Sequence, residues 1–291
     1  MKQTIKKYLP NRIKKYIRQK ILPKENSNEK LVKRIMAGKN ISQSNQPSCL
    51  FFTTHKCAST YMGKFMPYLN ANYLGLTSID IENYLWNNTT QDVHQKLQEN
   101  QSTFFRTNGI LYSPLRAFIS IDNIEKYHII LMLRDPRDVL VSNYYSLAYS
   151  HQLPKNQNRS KNFLNKRIEV QNKTIDEFVI SRTNRFYNVY NDYCNKIIDN
   201  KLNFCLLKYE TFWYNFDFFL NEIERYFAIQ INPKDKQFLR EMKGSNNSKE
   251  NRYDHKRKGV PGDHKNKLSQ NTQDFLNEKF SRILYTLGYE I

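Results

Sequence analysis

The sequence predicts an α/β fold in which a parallel central sheet carries helices on both faces. Three observations lead there. Four short apolar or aromatic runs, Cys49–Thr53, Thr103–Arg106, His128–Leu133 and Phe204–Lys208, read as strands buried on both faces. Helical patterns follow several of them, at Ser59–Met66, Pro136–Tyr149, Phe212–Phe227, Asp235–Met242 and Thr272–Leu287. Strands alternating with helices build parallel, doubly wound sheets. At 291 residues, with 39% hydrophobic and 14% aromatic content, the chain can also bury a substantial core.

Taken in order, the chain opens on a basic arm over residues 1–40, which hold 13 Lys/Arg against 2 Glu. Ile5, Tyr8, Leu9, Ile13, Tyr16, Ile17 and Ile21 recur at roughly helical spacing, and Pro10 splits the pattern into two short helices. Such an amphipathic segment suits the surface of an anionic membrane, or a solvated face packed on the rest of the protein. The stretches ENSNEK (25–30) and NISQSNQPS (40–48) read as connectors to a single domain over 41–291.

The first strand runs into TTHKCASTYMGKF (53–65), where small and hydroxylated residues surround Lys56 and a helix begins. Helix N-termini at the carboxyl ends of sheet strands present unpaired N–H groups, which favour an anion. Lys56 adds a point charge, Ser59 and Thr60 add hydroxyls, and Ala58 and Ser59 are small enough for a close backbone approach. The plainer reading is a Ser/Thr helix cap beside a solvated lysine. A nucleotide-kinase loop of the form G-x-x-x-x-G-K-[ST] is absent: Gly63–Lys64 is followed by Phe65. The usual magnesium-holding hydroxyl is therefore missing, which weakens ATP as the ligand.

The third strand runs into RDPRDVLVSNYYS (134–146). Asp135 is a good N-cap and Pro136 suits the first helical position. Arg134, just before the cap, can grip phosphate with two parallel hydrogen bonds. Asp138 and Ser142 share a helix face. By itself this could be a helix start with local ion pairs. Two anion-competent junctions on one sheet instead suggest a ligand with two separated phosphates. Residues 152–173 and 243–267 are polar and basic, and read as long surface loops.

A formal charge of +19 favours an anionic partner. The candidates are phosphorylated small molecules, glycans, lipid or nucleic acid. No recognised nucleic-acid motif accompanies the charge, and the aromatic residues fall largely in core elements, so nucleic acid is disfavoured. Cys49, Cys57, Cys194 and Cys205 have neither zinc-site nor disulfide-framework spacing. No metal is expected. No apolar run is long enough to span a membrane and no secretory leader is visible, so a cytoplasmic setting is expected, with peripheral membrane contact through the arm.

The lysine loop, RDPRD-x-x-x-S and KRKGVPGDHKN (256–266) together resemble the sulfotransferases that use 3′-phosphoadenosine 5′-phosphosulfate (PAPS). The motifs occur in that family's order, across residues 47 to about 267. The resemblance implies a P-loop NTPase-like sulfotransferase fold for residues 41–291 and PAPS as sulfuryl donor. Lys56 would hold the bridging oxygen and 5′-phosphate, with the backbone of Cys57, Ala58, Ser59 and Thr60 around it. Tyr61 and Tyr209, the latter in LKYETF (207–212), would contact adenine. Arg134 and Ser142 would hold the 3′-phosphate, and Arg257, Lys258 and Gly259 would complete that pocket.

The chain also departs from the family. Many members place a catalytic histidine after the strand read here as TFFRTNGI (103–110), where Asn108 stands. Other branches use a glutamate after the lysine loop, which points to Glu82, with Asp80 beside it and His55 as a further candidate base. The family's tryptophan in Gly-Asp-Trp-Lys is His264. The acceptor is expected to be a hydroxyl or amine on a small molecule, glycan or lipid-linked acceptor, contacted by residues 68–100 and 150–175. The alternatives are an ATP-dependent P-loop-type kinase and a non-catalytic basic protein that binds nucleic acid or other polyanions.

Overall fold

A computed structural model of the protein describes residues 25–153, 157–244, 250–253 and 257–291. In chain order its main elements are α1 (Glu25–Met36), β1 (Cys49–Thr53), α2 (Ser59–Leu69), β2 (Thr77–Ile79), α3 (Ile81–Asn88), α4 (Val93–Glu99), β3 (Ile110–Leu115) and β4 (His128–Leu133). There follow α5 (Pro136–Tyr145), α6 (Gln157–Gln171), α7 (Ile175–Tyr193), β5 (Phe204–Lys208), α8 (Tyr209–Tyr214), α9 (Phe216–Phe227), α10 (Pro233–Lys243) and α11 (Gln270–Leu287). The five strands form one sheet in the order β2-β3-β1-β4-β5, with β1 parallel to both β3 and β4 and β2 parallel to β3. Strand order reverses around β1, so the carboxyl end of β1 is a topological switch point, where α/β sheets collect ligands.

The chain divides into two compact units: Met1–Thr54, Ala58–Met132 and Asn203–Ser245 in the first, and His55–Cys57, Leu133–Leu202 and Asn246–Ile291 in the second. The first holds the sheet. Every residue of β1 and β3 is buried, as two-sided coverage requires. Phe65 of α2 meets Phe219 of α9 edge to face at 5.8 Å, an arrangement favoured by the ring quadrupoles. The second unit is helical. Val139, Leu140 and Val141 of α5 are fully buried, as are Tyr190 of α7 and Phe280 of α11. The Tyr190 hydroxyl donates to the Arg134 carbonyl, which fixes the exit from β4.

Several sequence expectations need correcting. The aromatic run at Thr103–Arg106 is not a strand: Gln101–Phe104 is a helical turn, and the strand is Ile110–Leu115. Phe104 and Phe105 are core side chains, with Phe105 packed on Tyr112 at 4.9 Å. Pro114, which brings no N–H, hid the true strand. The supposed connector ENSNEK begins α1, which belongs to the first unit: Val32 and Ile35 are fully buried, and Asn28 exchanges hydrogen bonds with the Asp80 backbone. The proposed arm therefore does not extend to residue 40, and the helices expected within residues 1–24 lie outside the described residues. Much of the supposed loop at 152–173 is α6.

Candidate active site

The loop from β1 to α2 carries two non-glycine residues in left-handed backbone conformation, Lys56 at φ 71° and Ala58 at φ 51°. Each costs on the order of 1 kcal/mol or more, and such strain concentrates where a backbone shape serves a function. Left-handed residues in a tight turn can converge successive N–H groups into an anion-binding concavity. Ala58 is the N-cap of α2 and offers no side-chain cap, while its carbonyl accepts from the Tyr61 N–H at 2.8 Å and the Met62 N–H at 3.0 Å. The fully buried Cys57 anchors the loop from beneath. His55 and Thr60 are exposed, and Lys56, Ala58 and Ser59 are half-buried.

In the second unit, Lys56 and Arg134 come together. The Arg134 guanidinium, 5% exposed, approaches the Lys56 carbonyl at 3.5 Å through Nη1 and the Val260 carbonyl at 3.5 Å through Nη2. Nη2 also donates to Asp138 Oδ2 at 3.1 Å. Burial, then the charges of Arg134 and Arg257, pull the Lys56 ammonium down to about 8. Lys56 keeps partial surface exposure, but its ammonium sits in a dense shell of protein atoms. Among the described residues no carboxylate pairs with it. A lysine whose charged form is disfavoured by burial first, and then by two neighbouring cations, marks a place where an anion would be stabilised.

The segment 257–264 supplies more cations. Arg257 pairs with Glu250 and Asp263, and lies over the Tyr145 ring at 4.1 Å. Lys258 Nζ is 3.2 Å from Asp263. Gly259, at φ 77°, takes a backbone shape that a side chain would oppose. Ser142 is half-buried, one turn beyond Asp138 on α5. Lys56, Arg134, Arg257 and Lys258 thus fall in one unit, and this donor set fits a ligand bearing several phosphate-type charges. Arg137, adjacent in sequence, has a structural role: its guanidinium binds Asp135 at 2.7 Å, Asn277 at 2.6 Å and the Glu290 carbonyl at 2.7 Å.

Sequence reasoning missed two residues here. Asp138, read only as a helix-face residue, is a buried hub. His151 is close enough for the charge of Lys56 to lower its pKa, after the larger effect of burial. Its ring stacks on Phe163 at 5.1 Å. No local pattern announces either contact.

The remaining expected residues lie in the first unit. Tyr61 packs against Phe65, Phe212 and Phe216, and its hydroxyl donates to the Leu239 carbonyl at 3.1 Å, so ring and hydroxyl serve the core. Tyr209 opens α8, buried to 6% exposure beside Phe212 and Trp213. Glu82 is buried and engaged. It accepts from the Arg116 backbone N–H at 2.6 Å and guanidinium at 2.9 Å, with His94 Nε2 3.3 Å away at ion-pair distance. Burial pushes its carboxyl up, but His94 and Arg116 outweigh that and hold it below the usual range, which makes it a weak proton acceptor. Asp80 is pushed up to about 6, chiefly by burial, and caps α3 through the Asn83 N–H. Asn108 does not take the place expected for a catalytic histidine. It is exposed, precedes β3, and bridges to Pro47 at the amino ends of the strands, opposite the ligand-collecting edge.

Among the described residues, no group of three or more His, Cys, Asp or Glu could hold a metal, and no helix is long and apolar enough to cross a membrane. No curated protein matches the chain. Among solved structures, mouse sulfotransferase SULT7A1 complexed with PAP is similar at 15% identity and TM-score 0.51, covering 89% of each chain. Retinol dehydratase in complex with androsterone and inactive cofactor PAP is similar at 13% identity and TM-score 0.50, covering 87% of this chain and 85% of that one. At these identities the likeness establishes the fold. The model of the sulfotransferase domain matches residues 82–288, from α3 to just past the end of α11, and the chain therefore belongs to the sulfotransferase domain family.

Proposed function

We propose that the protein transfers a sulfuryl group from PAPS to a hydroxyl or amine acceptor, with an acidic carbohydrate as the acceptor class. The observation that carries the donor reading is the meeting of Lys56 and Arg134. The two solved structures named above were complexed with PAP, which supports a 3′-phosphorylated adenosine donor. When bound, PAPS supplies the activated sulfuryl group. The chain's own part is electrostatic. The Lys56 ammonium and the N–H groups opening α2 favour negative charge on the leaving phosphate oxygens, and fixed donors of this kind cost no reorganisation during reaction. Arg134, Ser142, Arg257, Lys258 and Gly259 hold the 3′-phosphate. Glu82, whose carboxylate Arg116 and His94 already hold, is too weak a base to be assigned the acceptor's proton.

The carbohydrate assignment draws on charge. On α6 and α7, burial lowers the Lys166 and Arg182 pKa values, and neighbouring charge adds to it, from Arg182 and Arg185 on Lys166 and from Arg185 on Arg182, with Glu169 opposing both. A carboxylated or already sulfated sugar would relieve that repulsion.

Thermal unfolding tests the donor. At a hundred times Kd, 3′,5′-ADP should stabilise the protein by about 2.7 kcal/mol without magnesium. Stabilisation by ATP with magnesium and none by 3′,5′-ADP would identify a kinase-type site instead. Transfer of labelled sulfate to acidic glycans, lost in Lys56→Ala, supports the whole reading. Transfer to simple phenols alone overturns the carbohydrate assignment.

A further inference from the structure

Asp138 is one of the most heavily engaged side chains of the second unit, and its carboxylate is fully buried. Oδ2 accepts from Arg134 Nη2 at 3.1 Å and from the Gly262 backbone N–H at 2.7 Å. Oδ1 accepts from the His264 backbone N–H at 3.0 Å and lies 2.8 Å from His264 Nδ1. The His264 side chain is itself 4% exposed. One carboxylate therefore joins the strand-end arginine to the segment that carries Arg257, Lys258 and Gly259. That segment has its own brace: Asp263 pairs with both Arg257 and Lys258.

We infer that Asp138 is a positioning residue that couples the Arg134 guanidinium to the 257–264 segment, so that the cations assigned to the 3′-phosphate are aligned as one unit. The inference rests on the PAPS-type donor reading above. A guanidinium held by a carboxylate on one edge presents its remaining N–H groups in a fixed direction. Gly262 and His264 hang from the same carboxylate, so a shift of the segment and a rotation of Arg134 strain one shared group. The His264 ring gives Asp138 a second contact from that segment, beside the His264 backbone N–H. Burial by itself would raise the Asp138 carboxyl, yet Arg134 and His264 hold it far below the usual range. It is therefore a fixed anion across ordinary pH, as a brace requires.

The test compares 3′,5′-ADP with 5′-AMP, which lacks the 3′-phosphate, on the full chain. Asp138→Asn keeps the shape but loses the charge. It should weaken 3′,5′-ADP by about 10- to 100-fold, the range for a hydrogen bond to a charged group, while 5′-AMP changes less than about threefold. His264→Phe removes one ring contact and keeps the backbone N–H, so it should give a smaller loss with the same 3′-phosphate selectivity. It also serves as the readout if Asp138→Asn fails to fold. Hydrogen exchange at the Gly262 and His264 amides should accelerate in Asp138→Asn. A folded Asp138→Asn that binds 3′,5′-ADP like wild type, or loses both nucleotides equally, overturns the inference. A wild type that does not prefer 3′,5′-ADP over 5′-AMP defeats the donor reading instead. The coupling is then judged by exchange alone: faster exchange at both amides supports it, and unchanged exchange overturns it.

Discussion

Replacing Lys56 by Met should make the ligand-free protein more stable while slowing sulfate transfer. The ammonium's pKa falls from an ordinary 10.5 to about 8, through burial first and then the Arg134 and Arg257 charges. At 1.36 kcal/mol per pH unit this corresponds to about 3 kcal/mol of unfavourable environment for the charged form. Lys56 is half-buried, so solvent screening reduces the expected gain to about 1–3 kcal/mol. The pH dependence has a definite sign. Between the folded value near 8 and the ordinary 10.5, the unfolded chain binds the proton that the native lysine has released. Wild-type stability from this group therefore rises across that window. The advantage of Lys56→Met should be complete at neutral pH and shrink as pH climbs above about 8. Urea unfolding of both proteins at pH 7 and pH 9.5 measures it. A Met variant less stable than wild type at pH 7, or an advantage that does not change with pH, would refute the electrostatic account of the site. In the same variant, sulfate transfer should fall by about 10²–10³, the cost of removing one well-placed donor.

Three further outcomes follow from the geometry. Arg134→Lys loses the planar fork, so 3′,5′-ADP should bind about 10- to 100-fold more weakly by calorimetry, with a melting temperature close to wild type. Glu82→Ala leaves the Arg116 guanidinium and N–H without their carboxylate, and should cost roughly 3 kcal/mol in urea unfolding. Because Glu82 is held below its ordinary 4.5, its contribution is complete above that pH and is lost as acid titrates the lowered carboxyl, so the Ala variant should show less acid sensitivity there. Asn108→Ala should leave the transfer rate within about twofold of wild type, as for an exposed residue away from the site. A large loss would place Asn108 in the machinery after all.

The sheet was legible wherever a run of apolar residues was also the strand, as at β1, β4 and β5. It failed where composition and role parted. Phe104 and Phe105 look like strand residues but serve as core plugs, and Ile110–Leu115 contains the proline that argues against a strand. β2 is three residues long, too short for any periodicity to register. In the site, the loop around Lys56 and the Arg134 junction could be found because helix starts have local signatures. Asp135 caps and Pro136 opens α5 as their chemistry dictates.

The sequence by itself determined the alternation of strands and helices, the two cation-bearing strand ends and the excess of positive charge, because each is written in neighbouring residues. Only the tertiary structure decided which side chains those elements leave available. Tyr61 is consumed by an aromatic cluster, and Glu82 is tied to Arg116. Asp138 meets Gly262 and His264 across more than a hundred residues. Such contacts depend on distance in space, and the desolvation that sets the charge states of Lys56 and Asp138 exists only once the chain has closed around them.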